Sequence, residues 1–175
     1  DAGQLGGVTS SNQSYIITVT VSDNENGTLT ASADRQLSEL VFTNAYNAAG
    51  TYTPEVKKVL NGRDLKSGEF SFTITEVDEN GDAVENGYTS TKSNAADGTV
   101  TFDEITYSEA GVHYYKVTED AGQLGGVTYS NQSYTITVTV SDNGDGTLTA
   151  SADQQLNNLV FTNTYAAAGT YTPAV

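Results

Sequence analysis

Through the middle and end of this chain, apolar residues recur at every second position, the spacing that turns alternate side chains to one face of a strand. Phe70, Phe72 and Ile74 alternate with Ser71 and Thr73, and Val100 and Phe102 repeat the pattern in TVTF. Tyr115 and Val117 do so in YYKVTE, and Tyr134, Ile136, Val138 and Val140 alternate with Thr135, Thr137 and Thr139. Four such half-buried strands predict a sandwich core. Turn signals stand between the runs: Asn61-Gly62, Asn80-Gly81, Asn86-Gly87, Asp97-Gly98 and Asp145-Gly146. Helical periodicity is nearly absent, so the chain is predicted to be all-β.

The pattern also repeats on a larger scale. DAGQLGGVT begins at Asp1 and returns at Asp120, and 46 of 56 paired positions are identical between residues 1–56 and 120–175. A period of about 119 residues is the size of a domain. The small, Gly-containing stretch from Ala48 to Pro54 reads as a short linker, repeated from Ala167 to Pro173. Residues 1–50 are then the back half of one repeat, 51–169 a complete domain and 170–175 the start of the next. Differences between the copies fall mostly in turns, and Ile16 against Thr135 and Ala45 against Thr164 fall on outward positions or strand ends.

Composition narrows the function. Twenty-two acidic residues against seven basic ones give a net charge of −15, which repels nucleic-acid phosphates and anionic lipid headgroups. Neither nucleic acid nor direct membrane insertion is an expected partner, and no apolar run reaches the length of a membrane span. The chain has no Cys, which excludes disulfides, thiolate metal sites and a Cys nucleophile.

Strand parity turns three polar residues inward. In TPEVKKVLNGR, Val56, Lys58 and Leu60 share one face; in LVFTNTY, Phe161, Asn163 and Tyr165 do; and Tyr115, Val117 and Glu119 alternate in the same sense. Buried charges must pair or neutralise. By parity alone, a plain buried salt bridge with Asn163 satisfying backbone groups and a chemically reactive cluster are equally open.

The phrases KVLNGRDLKSGEFSF, GTVTFDEITYSEAGVHYYKVTE and VFTNTY resemble the pilin isopeptide-linkage domain of Gram-positive surface proteins, related to the streptococcal major pilin and to collagen-adhesin B-type repeats. The resemblance spans essentially the whole chain. It implies an Ig-like β-sandwich of the collagen-adhesin B type in tandem repeats. It also implies an isopeptide bond between Lys58 and Asn163 assisted by Glu119, with Asn44 as the acceptor's second copy. The reaction would be self-directed: neutral Lys58 attacks the Asn163 side-chain carbonyl and ammonia leaves. An apolar core pushes the Lys and Glu towards neutral amine and neutral acid, and a protonated Glu119 can then polarise the amide and relay protons. Each molecule reacts once, so the chain is not expected to be an enzyme.

The implied role is a stalk or shaft repeat of a surface fibre, extracellular and attached to the cell wall. Its partners would be neighbouring repeats or subunits, with any host ligand at a distal tip. The rival is an adhesive module that binds a host protein or glycan through its own sandwich surface. No cofactor is expected, and no metal. Asp142-Asn143-Gly144-Asp145-Gly146 places glycines where an EF-hand needs ligands, so it reads as a hairpin turn. His113, the one histidine, has no nucleophile motif beside it and reads as an ordinary strand residue. Nothing places two carboxylates across a cleft as a glycosidase requires.

Overall fold

The alternation written into the sequence is realised as strands in a computed structural model, which describes residues 5–172. The chain divides into one unit ending at Asn47 and another beginning at Ala48.

The first unit contains β1 (Val8–Thr9), β2 (Val19–Asp23), β3 (Leu29–Ala33), a 3-10 turn (Leu37–Glu39) and β4 (Ala45–Tyr46). β2 and β3 form an antiparallel hairpin, and β1 pairs with β4. Its apolar face is open. Phe42 is 60% exposed and Leu29 67%, whereas their counterparts in the second copy, Phe161 and Leu148, are 0% and 7% exposed. Sequence is therefore not what separates the two copies; the strands that would cover the first one are.

The second unit contains β5 (Gly50–Tyr52), β6 (Glu55–Asn61), β7 (Ser71–Val77), β8 (Thr89–Ser93), β9 (Thr99–Thr101) and β10 (Ile105–Tyr107). They are followed by β11 (Gly111–Glu119), β12 (Val127–Thr128), β13 (Ser133–Asp142), β14 (Leu148–Ala152) and β15 (Val160–Tyr165), with a 3-10 turn at Leu156–Asn158. One sheet has the order β14-β13-β11-β7-β8 and the other β12-β15-β6-β9, while β5 and β10 form a separate pair. The architecture is an all-β sandwich. Phe70, Phe72, Ile74, Val100, Phe102, Tyr115, Val117, Ile136, Val138 and Val140 are all buried in one core, as their parity predicts.

The turns carry the expected residues. Gly62, Gly81, Gly98 and Gly146 sit at φ between 88° and 96°, a conformation open to Gly at little cost. Gly98 has a second constraint, because a Cβ there would run into the carbonyl oxygen of Lys58. The outward assignments of Thr135 and Thr164 also hold, since each is exposed beside a buried position on its strand.

The stretch that reads as a linker is different in the structure. Gly50, Thr51 and Tyr52 pair with Tyr107, Thr106 and Ile105, and the Leu148 N–H donates to the Ala49 carbonyl at 2.8 Å. Small residues read as linker here because they permit close approach: a Cβ on Gly50 would collide with Leu148. Residues 173–175, within the expected start of a further repeat, lie outside the described residues.

Candidate functional site

β6 and β15 lie side by side and parallel, with Phe161 opposite Lys58 and Asn163 opposite Leu60. Lys58 and Asn163 are thus two positions apart on neighbouring strands and face the same way, into the sandwich. Glu119 comes from the other sheet. It is the last residue of β11, paired with Phe72 of β7. The next residue anchors that strand end: the Asp120 carboxylate accepts hydrogen bonds from Ser71 Oγ at 2.6 Å and Thr73 Oγ1 at 2.9 Å.

The three side chains meet. Lys58 Nζ donates to Glu119 Oε1 at 2.7 Å and to Oε2 at 2.9 Å, and Asn163 Nδ2 donates to the same Oε1 at 2.6 Å. The side chains of Lys58 and Glu119 are 0% and 1% exposed, and Asn163 is fully buried. Phe70 lies under the lysine with its ring centroid 4.4 Å from Nζ, and Phe72 is at 5.8 Å. The walls are completed by Phe161, tilted against Phe72 at 5.1 Å and in edge contact with Tyr134 at 5.0 Å.

Burial dominates the electrostatics of Lys58. Loss of water pushes its pKa below the ordinary lysine value, and the hydrogen bond and charge of Glu119 pull it partly back. Within this cluster a proton has one short route, from Nζ onto the carboxylate that also holds the Asn163 amide nitrogen. The same carboxylate can therefore take a proton from an amine and deliver one to a leaving amide nitrogen.

The amide oxygen is held separately. Asn163 Oδ1 accepts the backbone N–H of Ser130 at 2.7 Å. A backbone N–H can only donate, so this contact assigns the oxygen to Ser130 and leaves the NH2 for Glu119. Glu119 therefore meets the amide on its nitrogen side, the side of the leaving group. Ser130 carried no signal in the sequence, because a backbone group acts there and not the side chain.

Asn44 occupies the equivalent place in the first unit. Its Oδ1 accepts the Ser11 N–H at 2.9 Å, matching Asn163 and Ser130. His113 is not idle either: Nδ1 lies 3.1 Å from Glu76 Oε1, and the ring sits 4.8 Å from that of Tyr107. It remains a strand residue in a packed polar cluster.

No curated protein matches the chain. The family model described as FctA, Spy0128-like isopeptide containing domain, matches residues 2–47 and 54–166, which take in the open back half and nearly all of the complete sandwich. The chain belongs to that family of isopeptide-containing domains.

Proposed function

We propose that this chain is a structural repeat of a Gram-positive surface fibre, and that its complete domain locks itself with an amide bond between Lys58 Nζ and Asn163 Cγ. The observation that carries this reading is a dry cluster of amine, carboxylate and carboxamide spanning the two parallel strands β6 and β15. A plain buried salt bridge needs only two of the three groups. The shared Oε1 contact gives the third a purpose, because it joins the nucleophile and the leaving nitrogen through one proton carrier.

The bond answers a need of the chain. With no Cys available, a cross-link from Lys58 to Asn163 takes the place of a disulfide. Closing a loop of roughly 100 residues removes denatured-state entropy worth about 4.7 kcal/mol in the chain-entropy account. The mechanical consequence is greater. Tension that enters along β6 leaves through β15 across a covalent bond, without loading the strands between them. That is what a shaft under pull requires, and the neighbours of each repeat would be further repeats or subunits of the same fibre.

Domain organisation follows the same reading. Residues 51–169 are the complete repeat and 170–175 lead into another. Residues 1–50 are a back half awaiting a front half with its own lysine strand. The open apolar face of that half and the separate family match over residues 2–47 support this. Asn44 would then bond to a lysine equivalent to Lys58 in that other front half.

Intact mass and a tryptic peptide map test the central claim. The folded chain should be lighter by one ammonia and yield one branched peptide joining the Lys58 and Asn163 segments. Two linear peptides from fully folded protein would remove the cross-link from this account.

A further inference from the structure

We propose that the backbone N–H of Ser130 is the oxyanion donor of the cross-linking reaction, activating the Asn163 carbonyl for attack. This inference rests on the proposed Lys58–Asn163 bond and assigns a group to the step which that proposal leaves open. When Lys58 Nζ adds to Asn163 Cγ, the carbonyl π pair moves onto Oδ1, and negative charge develops on a side chain shut off from bulk solvent. The Ser130 N–H is the donor already in place there, at 2.7 Å.

The full step balances with the groups present. The proton on Lys58 passes to Glu119, and the free amine forms the Nζ–Cγ bond while Oδ1 becomes an oxyanion. Glu119 then gives its proton to Nδ2 and takes the second proton from Nζ, so that it ends as the neutral acid and every proton is accounted for. Collapse of the oxyanion then breaks Cγ–Nδ2 and releases ammonia. Primary amine plus primary amide gives secondary amide plus ammonia, and no outside reactant is needed. A hydrogen bond to an oxyanion is stronger than one to a neutral carbonyl, so the Ser130 contact favours the transition state over the starting amide.

The donor is built before the site closes. In the first unit, whose sequence contains no lysine, the Ser11 N–H still lies 2.9 Å from Asn44 Oδ1. The surrounding bonds are the same in both copies. Gln132 N–H donates to Ser130 Oγ at 3.2 Å and Gln13 N–H to Ser11 Oγ at 3.1 Å. Tyr134 Oη donates to the Val160 carbonyl at 2.8 Å and Tyr15 Oη to that of Val41 at 2.6 Å. The back half alone therefore aims the N–H at the amide oxygen. A donor fixed in advance needs no rearrangement when charge appears, which is the condition under which such groups accelerate acyl transfer.

The test isolates the N–H by comparing two forms that both lack the serine hydroxyl. The chain is assembled by ligation in denaturant in three forms: native, Ser130→Ala, and one with the α-hydroxy counterpart of alanine at position 130, whose ester linkage lacks the donor. Removing denaturant starts the reaction, and mass spectrometry follows ammonia release while tyrosine near-UV circular dichroism reports folding. The ester form should react roughly 100- to 1,000-fold more slowly than the Ser130→Ala form while folding normally. Ser130→Pro removes the same N–H by expression alone and should accumulate folded, unbonded chain. An ester form that folds and reacts as fast as Ser130→Ala overturns the assignment but leaves the bond standing. If the native chain folds and never loses ammonia, the bond itself fails and the Ser130 role with it.

Discussion

Replacing Glu119 with Gln keeps the volume of the side chain and an oxygen able to accept from Asn163 Nδ2, but deletes the group that takes the lysine proton. The variant should fold and fail to lose ammonia. Its stability should then depend on pH in a way that reports on Lys58. In the native pair, burial lowers the lysine pKa while the Glu119 hydrogen bond and charge raise it; the substitution removes both of the raising influences, so the folded-state value falls further. Between that lowered value and the unfolded value of 10.5, the unfolded chain carries a proton that the folded chain does not. Stability must therefore rise with pH across this window and be lowest at its acid end. The slope approaches about 1.4 kcal/mol per pH unit wherever the folded chain holds Lys58 neutral and the unfolded chain holds it charged. The missing cross-link adds about 4.7 kcal/mol that does not vary with pH. Urea unfolding across neutral and mildly alkaline pH should show stability rising as pH rises. The double variant Lys58→Met, Glu119→Gln, also unbonded, should lack that rise. Ammonia loss at the native rate would refute the role given to Glu119, and a pH-independent deficit shared with the double variant would refute the buried lysine held neutral by its surroundings.

Gly98→Ala should destabilise the complete domain by at least about 2 kcal/mol, because φ is +88° and the new Cβ meets the Lys58 carbonyl; denaturant unfolding measures it, and an unchanged midpoint would contradict the packing described. The isolated chain should lose one ammonia only, with Asn44 retaining its amide. In a longer array Asn44 should appear in a branched peptide with a lysine from another front half, and an Asn44 left free beside a complete partner strand would count against that pairing.

Much of the site was legible because a period of two is unforgiving: once Val56 and Leu60 face the core, Lys58 must as well, and the same rule places Asn163 with Phe161. Glu119 followed by parity from Tyr115 and Val117, although only its position at a strand end lets it reach across to the other sheet. What parity cannot see is contact made by backbone. β5 was hidden because Gly50 and Thr51 have no apolar alternation to reveal a strand, yet their hydrogen bonds place them in the domain. Asn94 was hidden for the same reason. Its side chain is buried and ties three backbone groups together, accepting from Phe70 N–H and donating to the carbonyls of Lys66 and Ala95. Nothing in its sequence neighbourhood distinguishes it from an ordinary turn residue.

The parallel pairing of β6 with β15 also governs the order in which the domain can be completed. A chain made from its N-terminus must hold β6 without this neighbour until nearly the whole unit exists, and pairing between such distant segments is intrinsically slow. Near-identical back halves add a hazard, because a neighbouring copy of β15 would offer β6 the same inward side chains, Phe42 and Asn44 in place of Phe161 and Asn163. Chemistry that waits for the last strand to dock is silent in every partly folded form. On the proposed reading, the cross-link would fasten β6 to β15 for good, so that these two strands could separate only by breaking a covalent bond, whatever the rest of the domain does.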